Sequence, residues 1–283
     1  MMNKVIPAFL ALALTTMACG FSFSIPKAPT PGPVVTDKIT VAAPKSGTTR
    51  LSLAFGAGQL NIKPGAGDNL VEGTATYNIP DFKPVIQQNG ADIRIQQGNG
   101  KFTSFPSLNT IKNEWDLKLG NMPMELAIDA GAYQGNIELG GLSLTGLTVK
   151  NGAVDETVSF SSPNQTEMSV LRYETGASNV KLSGLANANF NTMIFQAGAG
   201  DYTLEFSGDL QRDATITVDS GLSTLTLRIP KGVNAEVTVE GGLSSVSTSS
   251  NWGQDGNTYT QTGSSPKLTF IVKMGAGSLA LTD

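Results

Sequence analysis

The sequence predicts an all-β protein whose larger part winds as a single-stack, right-handed β-solenoid. Three observations carry that reading. First, a glycine-led unit recurs, with glycines at 131, 152, 176, 198, 221 and 242 separated by 21 to 24 residues. A fixed period of this size marks a stack of supersecondary units. Second, apolar residues alternate within each unit, as in Tyr202, Leu204, Phe206 and Leu225, Leu227, Ile229, so one face of each strand turns inward. Third, only 15% of the residues are charged while 32 are glycine, a balance of strands and turns in which no long segment keeps the helical period.

The repeat can be followed along the chain. It reads Gly131-Ala-Tyr-Gln-Gly-Asn-Ile137, Gly152-Ala-Val-Asp-Glu-Thr-Val158, Gly176-Ala-Ser-Asn-Val-Lys-Leu182 and Gly198-Ala-Gly-Asp-Tyr-Thr-Leu204. It continues through Gly221 and Gly242 and closes with Gly275-Ala-Gly-Ser-Leu-Ala-Leu281. Residues 121–283 are therefore assigned to the solenoid. An antiparallel β-sandwich is the alternative, since it too has short strands and glycine turns, but its strands normally lack a near-constant glycine-led period.

Residues 46–120 form a less regular N-terminal β region. Strands are expected at 50–55, 60–63, 69–77, 83–88, 92–97 and 114–119, with a loop or insertion from Gly98 to Asn113 around Phe102, Phe105 and Pro106. Ahead of it, residues 19–45 hold Pro26, Pro29, Pro31, Pro33 and Pro44 and suit an extended, semi-rigid tether.

Residues 1–18 have a polar start with Lys4, an apolar run from Val5 to Leu14 and small residues up to Ala18, the layout of a secretory signal. The run is too short to span a bilayer, which takes roughly 20 apolar residues. Thr16-Met17-Ala18-Cys19, followed by Gly20, resembles the lipobox of bacterial lipoproteins, although Thr16 stands where that family most often has Leu. The resemblance implies a diacylglycerol on Cys19 as the mature N-terminus and a membrane partner through that lipid. Cys19 is the only cysteine, so no internal disulfide competes for it. Two acyl chains on one residue meet the requirement for stable anchoring.

The unit Leu53-Ala-Phe-Gly-Ala-Gly-Gln-Leu-Asn-Ile62, taken with the later Gly-Ala-Gly rungs, resembles the toast-rack family of bacterial envelope proteins. It is also similar to β-solenoid domains of membrane proteins in the cell-wall-stress response and to adhesin-like head domains. The resemblance spans roughly residues 48–283 and implies a toast-rack-like fold and an extracytoplasmic compartment. Its motifs are structural, and no functional residue carries over.

Catalytic and metal chemistry have little to stand on. There is no histidine, which removes the commonest general base and metal ligand. Ser178-Asn-Val-Lys181 and Ser264-Ser-Pro-Lys267 fit Ser-x-x-Lys, but the first reads as a strand with its two residues on opposite faces. The second reads as a loop, and Lys45-Ser-Gly precedes both motifs where that chemistry needs it to follow.

The carboxylate pairs that glycan hydrolysis would need are available as Asp155 with Glu156, Glu114 with Asp116 and Asp209 with Asp213, and are read as solvated surface charge. Gly65-Ala-Gly-Asp68 and Gly198-Ala-Gly-Asp201 faintly resemble calcium-binding turns but occur singly and are read as turns. The Asn164-Gln-Thr166 sequon is read as a chance match. No cofactor or metal is expected.

With a net charge of −4 the chain has no basic field for nucleic acid. The expected function is a non-enzymatic, lipid-anchored envelope protein whose solenoid face binds an envelope protein or cell-wall glycan, with an accessory part in envelope-stress sensing by family likeness. The alternative is a carbohydrate hydrolase or lyase on a β-helix.

Overall fold

A computed structural model describes residues 31–98, 111–242 and 245–283. The signal segment, Cys19 and the aromatic loop residues Phe102 and Phe105 lie outside the described residues. The described chain is almost wholly β and forms one large sheet. Its strands are β1 (Val35–Ala42), β2 (Thr49–Pro64), β3 (Asn69–Tyr77), β4 (Pro84–Asn89), β5 (Asp92–Gln97), β6 (Asn113–Leu119), β7 (Met124–Glu138) and β8 (Leu144–Ser159). They continue as β9 (Met168–Ser183), β10 (Phe190–Glu205), β11 (Ala214–Arg228), β12 (Val233–Gly241), β13 (Ser245–Thr248), β14 (Gly253–Asp255), β15 (Thr258–Gln261) and β16 (Ser264–Thr282).

β2 and β7 to β11 are parallel rungs of 15 or 16 residues, and each is bent once at its ladder glycine, which Ala follows in all but β11, where Leu222 does. In β8, Leu147 and Val149 point inward before the bend and Val154 and Val158 after it, so the bend shifts the inward phase from odd to even positions. The backbones meet too closely at the bend for any side chain. A Cβ on Gly131 would lie 2.3 Å from the carbonyl oxygen of Gly56, one on Gly152 2.8 Å from that of Gly131, and one on Gly176 2.4 Å from that of Gly152. Gly198, Gly221, Gly275 and Gly242 extend this ladder in the same manner. The recurring glycine thus marks a corner inside a strand, where the sequence alone suggested a turn before one.

The two limbs of each rung enclose one continuous apolar core, closed on the third side by loops. Aromatic rings fill its corner. Phe55 meets Trp115 edge-on at 5.2 Å and Tyr133 at 6.1 Å, while Tyr173 stacks on Phe195 at 5.5 Å. Buried asparagines stitch the closing loops. Asn164 accepts from Leu144 N and donates to Leu144 O, both at 2.8 Å, and Asn187 donates to Phe160 O at 2.9 Å. A buried backbone that lacks a ladder partner needs such a substitute.

Three expectations are corrected. Residues 35–42, inside the expected tether, form β1, because Ile39 and Val41 bury against the core and the strand pairs with β3. The expected division at 120/121 does not separate two units, since β2 is itself a rung and pairs with β7 along its length; the strands expected at 50–55 and 60–63 are its two limbs. Ser264–Lys267 opens β16 and is not a loop. The structure adds that the rungs do not stack in chain order. β16 inserts between β11 and β12, so the Gly275 corner sits on Gly221 and Gly242 sits on Gly275. The hairpin of β14 and β15 pairs antiparallel with β12 and brings the chain back for that insertion.

Candidate functional site

The second limbs of the rungs, with β1, β3 and β6 added antiparallel and parallel at the N-terminal end, present one wide outer face. Alternation sets its chemistry. Because Leu60, Ile62, Leu117 and Ile137 point into the core, Asn61, Asp116 and Asn136 between them must point out. Register then aligns these side chains in rows. Lys38, Thr74, Asp116, Asn61, Asn136 and Thr157 form one row across six strands, at the strand spacing of about 4.8 Å. Thr40, Glu72, Lys118 and Lys63 form the row beside it, which Glu138 and Ser159 continue. The twisted face is concave here and encloses about 740 Å³.

The carboxylates of this face already hold neutral donors. Asp116 accepts from Asn61 at 2.8 Å, and Glu72 from Asn69 at 2.5 Å. Glu138 accepts from the Ser159 hydroxyl, from Gly140 N at 2.6 Å and from Ser161 N at 3.0 Å. Partial burial pushes the Glu138 carboxyl up, but these donors outweigh it and hold it below the usual range. The cations differ. Among the described residues, the lysines without an ion pair are Lys38, Lys45, Lys63 and Lys118, and all but Lys45 line this concavity.

A second groove, of about 570 Å³, lies outside the first limbs beside the β4–β5 hairpin. Its two carboxylates are both taken by Arg50, which pairs with Asp92 at 3.3 Å and with Glu125 at 3.2 Å, while Arg94 donates to Gln96 and Ser52.

The sequence candidates do not converge. Asp155 faces solvent while Glu156 is 3% exposed, so the adjacent pair does lie on opposite faces. The reading of Glu156 as solvated charge is corrected: it replaces an apolar residue in the inward column because three donors receive it. Tyr133 donates at 2.6 Å, Asn151 at 3.1 Å, and Tyr173 also donates. Gly135, in register with Glu156, leaves room for the Tyr133 ring, since a Cβ there would lie 2.6 Å from it. Burial pushes the Glu156 carboxyl above its ordinary value, with the three hydrogen bonds opposing, and burial likewise raises Tyr133 and Tyr173.

Glu114 is paired with Lys112, and Asp213 accepts from Lys267 N at 2.7 Å. Ser178 is buried against Thr175 and Val154 N, whereas Lys181 points outward to Glu205 at 3.6 Å. Lys267 pairs with Glu236 at 3.0 Å. Gly65–Asp68 is the turn between β2 and β3, and Asp201 stands on β10 beside a ladder corner. Asn164 of the sequon is 2% exposed with its amide engaged on both sides, so it is not presented for glycosylation. The concave face escaped the residue-by-residue reading because its members come from six strands. The alternation in Asn61-Ile-Lys63 and Asp116-Leu-Lys118 was the signal that could have found it.

Bent parallel rungs, a glycine ladder and a polar outer face define a solenoid of the toast-rack class. Residues 30–172, half of the chain, match the family described as "N-terminal domain of toast_rack, DUF2154", and the chain belongs to that family. No curated protein matches it. Among solved structures it is similar to one provisionally described as a cell adhesion protein from Clostridium sporogenes ATCC 15579. That likeness has 20% identity, covers 88% of this chain and 99% of that one, and has a TM-score of 0.49. It is also similar to one provisionally described as a lipid binding protein from Parabacteroides distasonis ATCC 8503, at 10% identity, 88% and 97% coverage and a TM-score of 0.38.

Proposed function

We propose that this chain is a non-enzymatic, adhesion-like binding protein of the cell envelope, held outside the cytoplasm by lipid on Cys19 and using the concave face as its binding surface. The observation that carries the reading is the alignment of amide, hydroxyl and ammonium groups in rows over six strands. A rigid sheet fixes such groups with little side-chain ordering left to do on binding, and rows at constant spacing suit an extended partner such as a cell-wall glycan. The absence of convergence among the acidic and Ser-Lys candidates supports binding over hydrolysis. The lipobox-like Thr16–Cys19 supports the anchor.

The test is expression of the full chain in a bacterial host beside Cys19→Ala. The expected result is cleavage before Cys19, added diacylglycerol mass and membrane partition for the wild type alone. The same wild type, mixed with isolated cell-wall glycan, should co-sediment with it, and Asn136→Glu should weaken that association. A soluble, unmodified wild type removes the anchor, and equal sedimentation of wild type and Asn136→Glu removes the face.

A further inference from the structure

Lys63 on β2 and Lys118 on β6 are direct register partners, so two ammonium groups project side by side from adjacent strands. Like charges set opposite one another destabilise a sheet. Neither has a carboxylate within 4 Å among the described residues, although Glu72 and Glu138 flank the pair in the same row. Those two carboxylates are committed to Asn69 and to Ser159, Ser161 and Gly140. Lys38, on the outermost strand, adds a third exposed cation to the same concavity. The other described lysines, Lys45 apart, are ion-paired, so the fold readily supplies partners elsewhere.

We propose that Lys63 and Lys118, assisted by Lys38, are an anion-binding site for a carboxylate- or phosphate-bearing, hydroxyl-rich polymer that lies along the concave face. This rests on the face being the binding surface and adds the charge of its ligand. The charge complementarity is local: an acidic group on the polymer relieves the paired ammoniums, while its hydroxyls meet Asn61, Asn136, Thr157 and Thr74 in the adjoining row. A polymer strand is favoured over an anionic bilayer because the site is concave, with acidic Glu72, Asp116 and Glu138 that a flat headgroup layer would also approach. Discrimination comes from the flanking carboxylates, which repel an acid placed anywhere but over the lysine pair.

The experiment measures binding of the full chain carrying Cys19→Ala, which has no lipid to insert into vesicles, to polygalacturonate, to neutral dextran and to phosphatidylglycerol vesicles, with the lysines intact, with Lys63→Gln/Lys118→Gln and with Lys150→Glu. Lys150 is exposed and ion-paired with Glu174 on another face, so its variant controls for net charge. Expected is binding to polygalacturonate over dextran that weakens as salt rises, is lost about tenfold or more in the double variant and is kept in the control. Circular dichroism confirms that the double variant is folded.

Equal binding of dextran and polygalacturonate, unaffected by the double variant, overturns the anion site while leaving the face as a glycan surface. Equal loss in Lys150→Glu, or preference for the vesicles, overturns it as well. Failure of every polymer, cell-wall glycan included, removes the underlying binding reading with it.

Discussion

Glu156 is the residue whose environment departs furthest from what its chemistry prefers. It sits 3% exposed at the inner corner, and its charge is met by two phenol hydroxyls and one amide, with no cation beside it. Hydrogen bonds of this kind are worth about 1.5–3 kcal/mol each when one partner is charged, which offsets part of the desolvation cost. The balance leaves the folded carboxyl above its ordinary value of 4.5. The sign follows from linkage. A carboxyl raised in the folded state binds protons that the unfolded chain has released, so its contribution is fully present below pH 4.5 and is lost as pH climbs through the folded value. Each unit of that rise costs about 1.4 kcal/mol at neutral pH. Glu156→Gln keeps a polar group for Tyr133 and Tyr173 and cannot ionise. Its thermal midpoint should therefore fall less than that of the wild type between about pH 5 and pH 8. Two parallel stability curves would show that Glu156 is not the group responsible. Tyr173→Phe removes one donor and should destabilise by about 1–3 kcal/mol at neutral pH, by denaturant unfolding, because it leaves the buried carboxyl short of a partner.

At the scale of the strand, the glycine ladder decides whether rungs can stack. Gly152 and Gly176 do not have positive φ, so their requirement is the close approach of successive backbones and not an unusual conformation. Gly176→Ala would place a methyl group 2.4 Å from the carbonyl oxygen of Gly152. Neither neighbour is a flexible side chain, so the strands must separate, and the expected loss is about 1–3 kcal/mol or more in chemical denaturation. Gly67→Ala in the β2–β3 turn, where nothing lies within 4 Å, should be milder, limited to the strain of its positive φ. Equal losses would mean that the corner relaxes and the ladder is not a packing constraint. This ladder also explains how much was legible in the sequence. The period was visible because every corner needs the same residue, and the inward columns were visible because Tyr202, Leu204 and Phe206 alternate with polar residues. The bend was not visible, since a glycine before alternating residues reads equally as a turn. Glu156 was hidden for a related reason: its burial depends on Tyr133 and Tyr173, 23 and 17 residues away in sequence, which only register brings together.

Over the whole molecule, the insertion of β16 changes how the stack is held. In a serial solenoid each rung touches only its neighbours in sequence, so removing the last one exposes a single new face and leaves the others in place. Here the last strand pairs along its length with β11 on one side and with β12 and β13 on the other. Leu268, Phe270, Val272, Leu279 and Leu281 of that strand are all buried, and Phe206 packs edge-on against Phe270 at 4.9 Å. A chain ending at Gly263 would therefore lose the strand that joins β12, β13 and the β14–β15 hairpin to the rest. Loop closure adds to this, because β12 would have to find β11 directly with mismatched corners, Gly242 having been shaped to sit on Gly275. Hydrogen exchange read by mass spectrometry distinguishes the arrangements. In the truncated chain the amides of β11, β12 and β15 should lose protection while those of β7 to β9, two to four rungs in from β11, keep theirs. Protection retained in β12 would mean that it can close onto β11 without β16. Loss throughout β7 to β9 would mean that the solenoid folds as one cooperative unit sealed by its C-terminal strand.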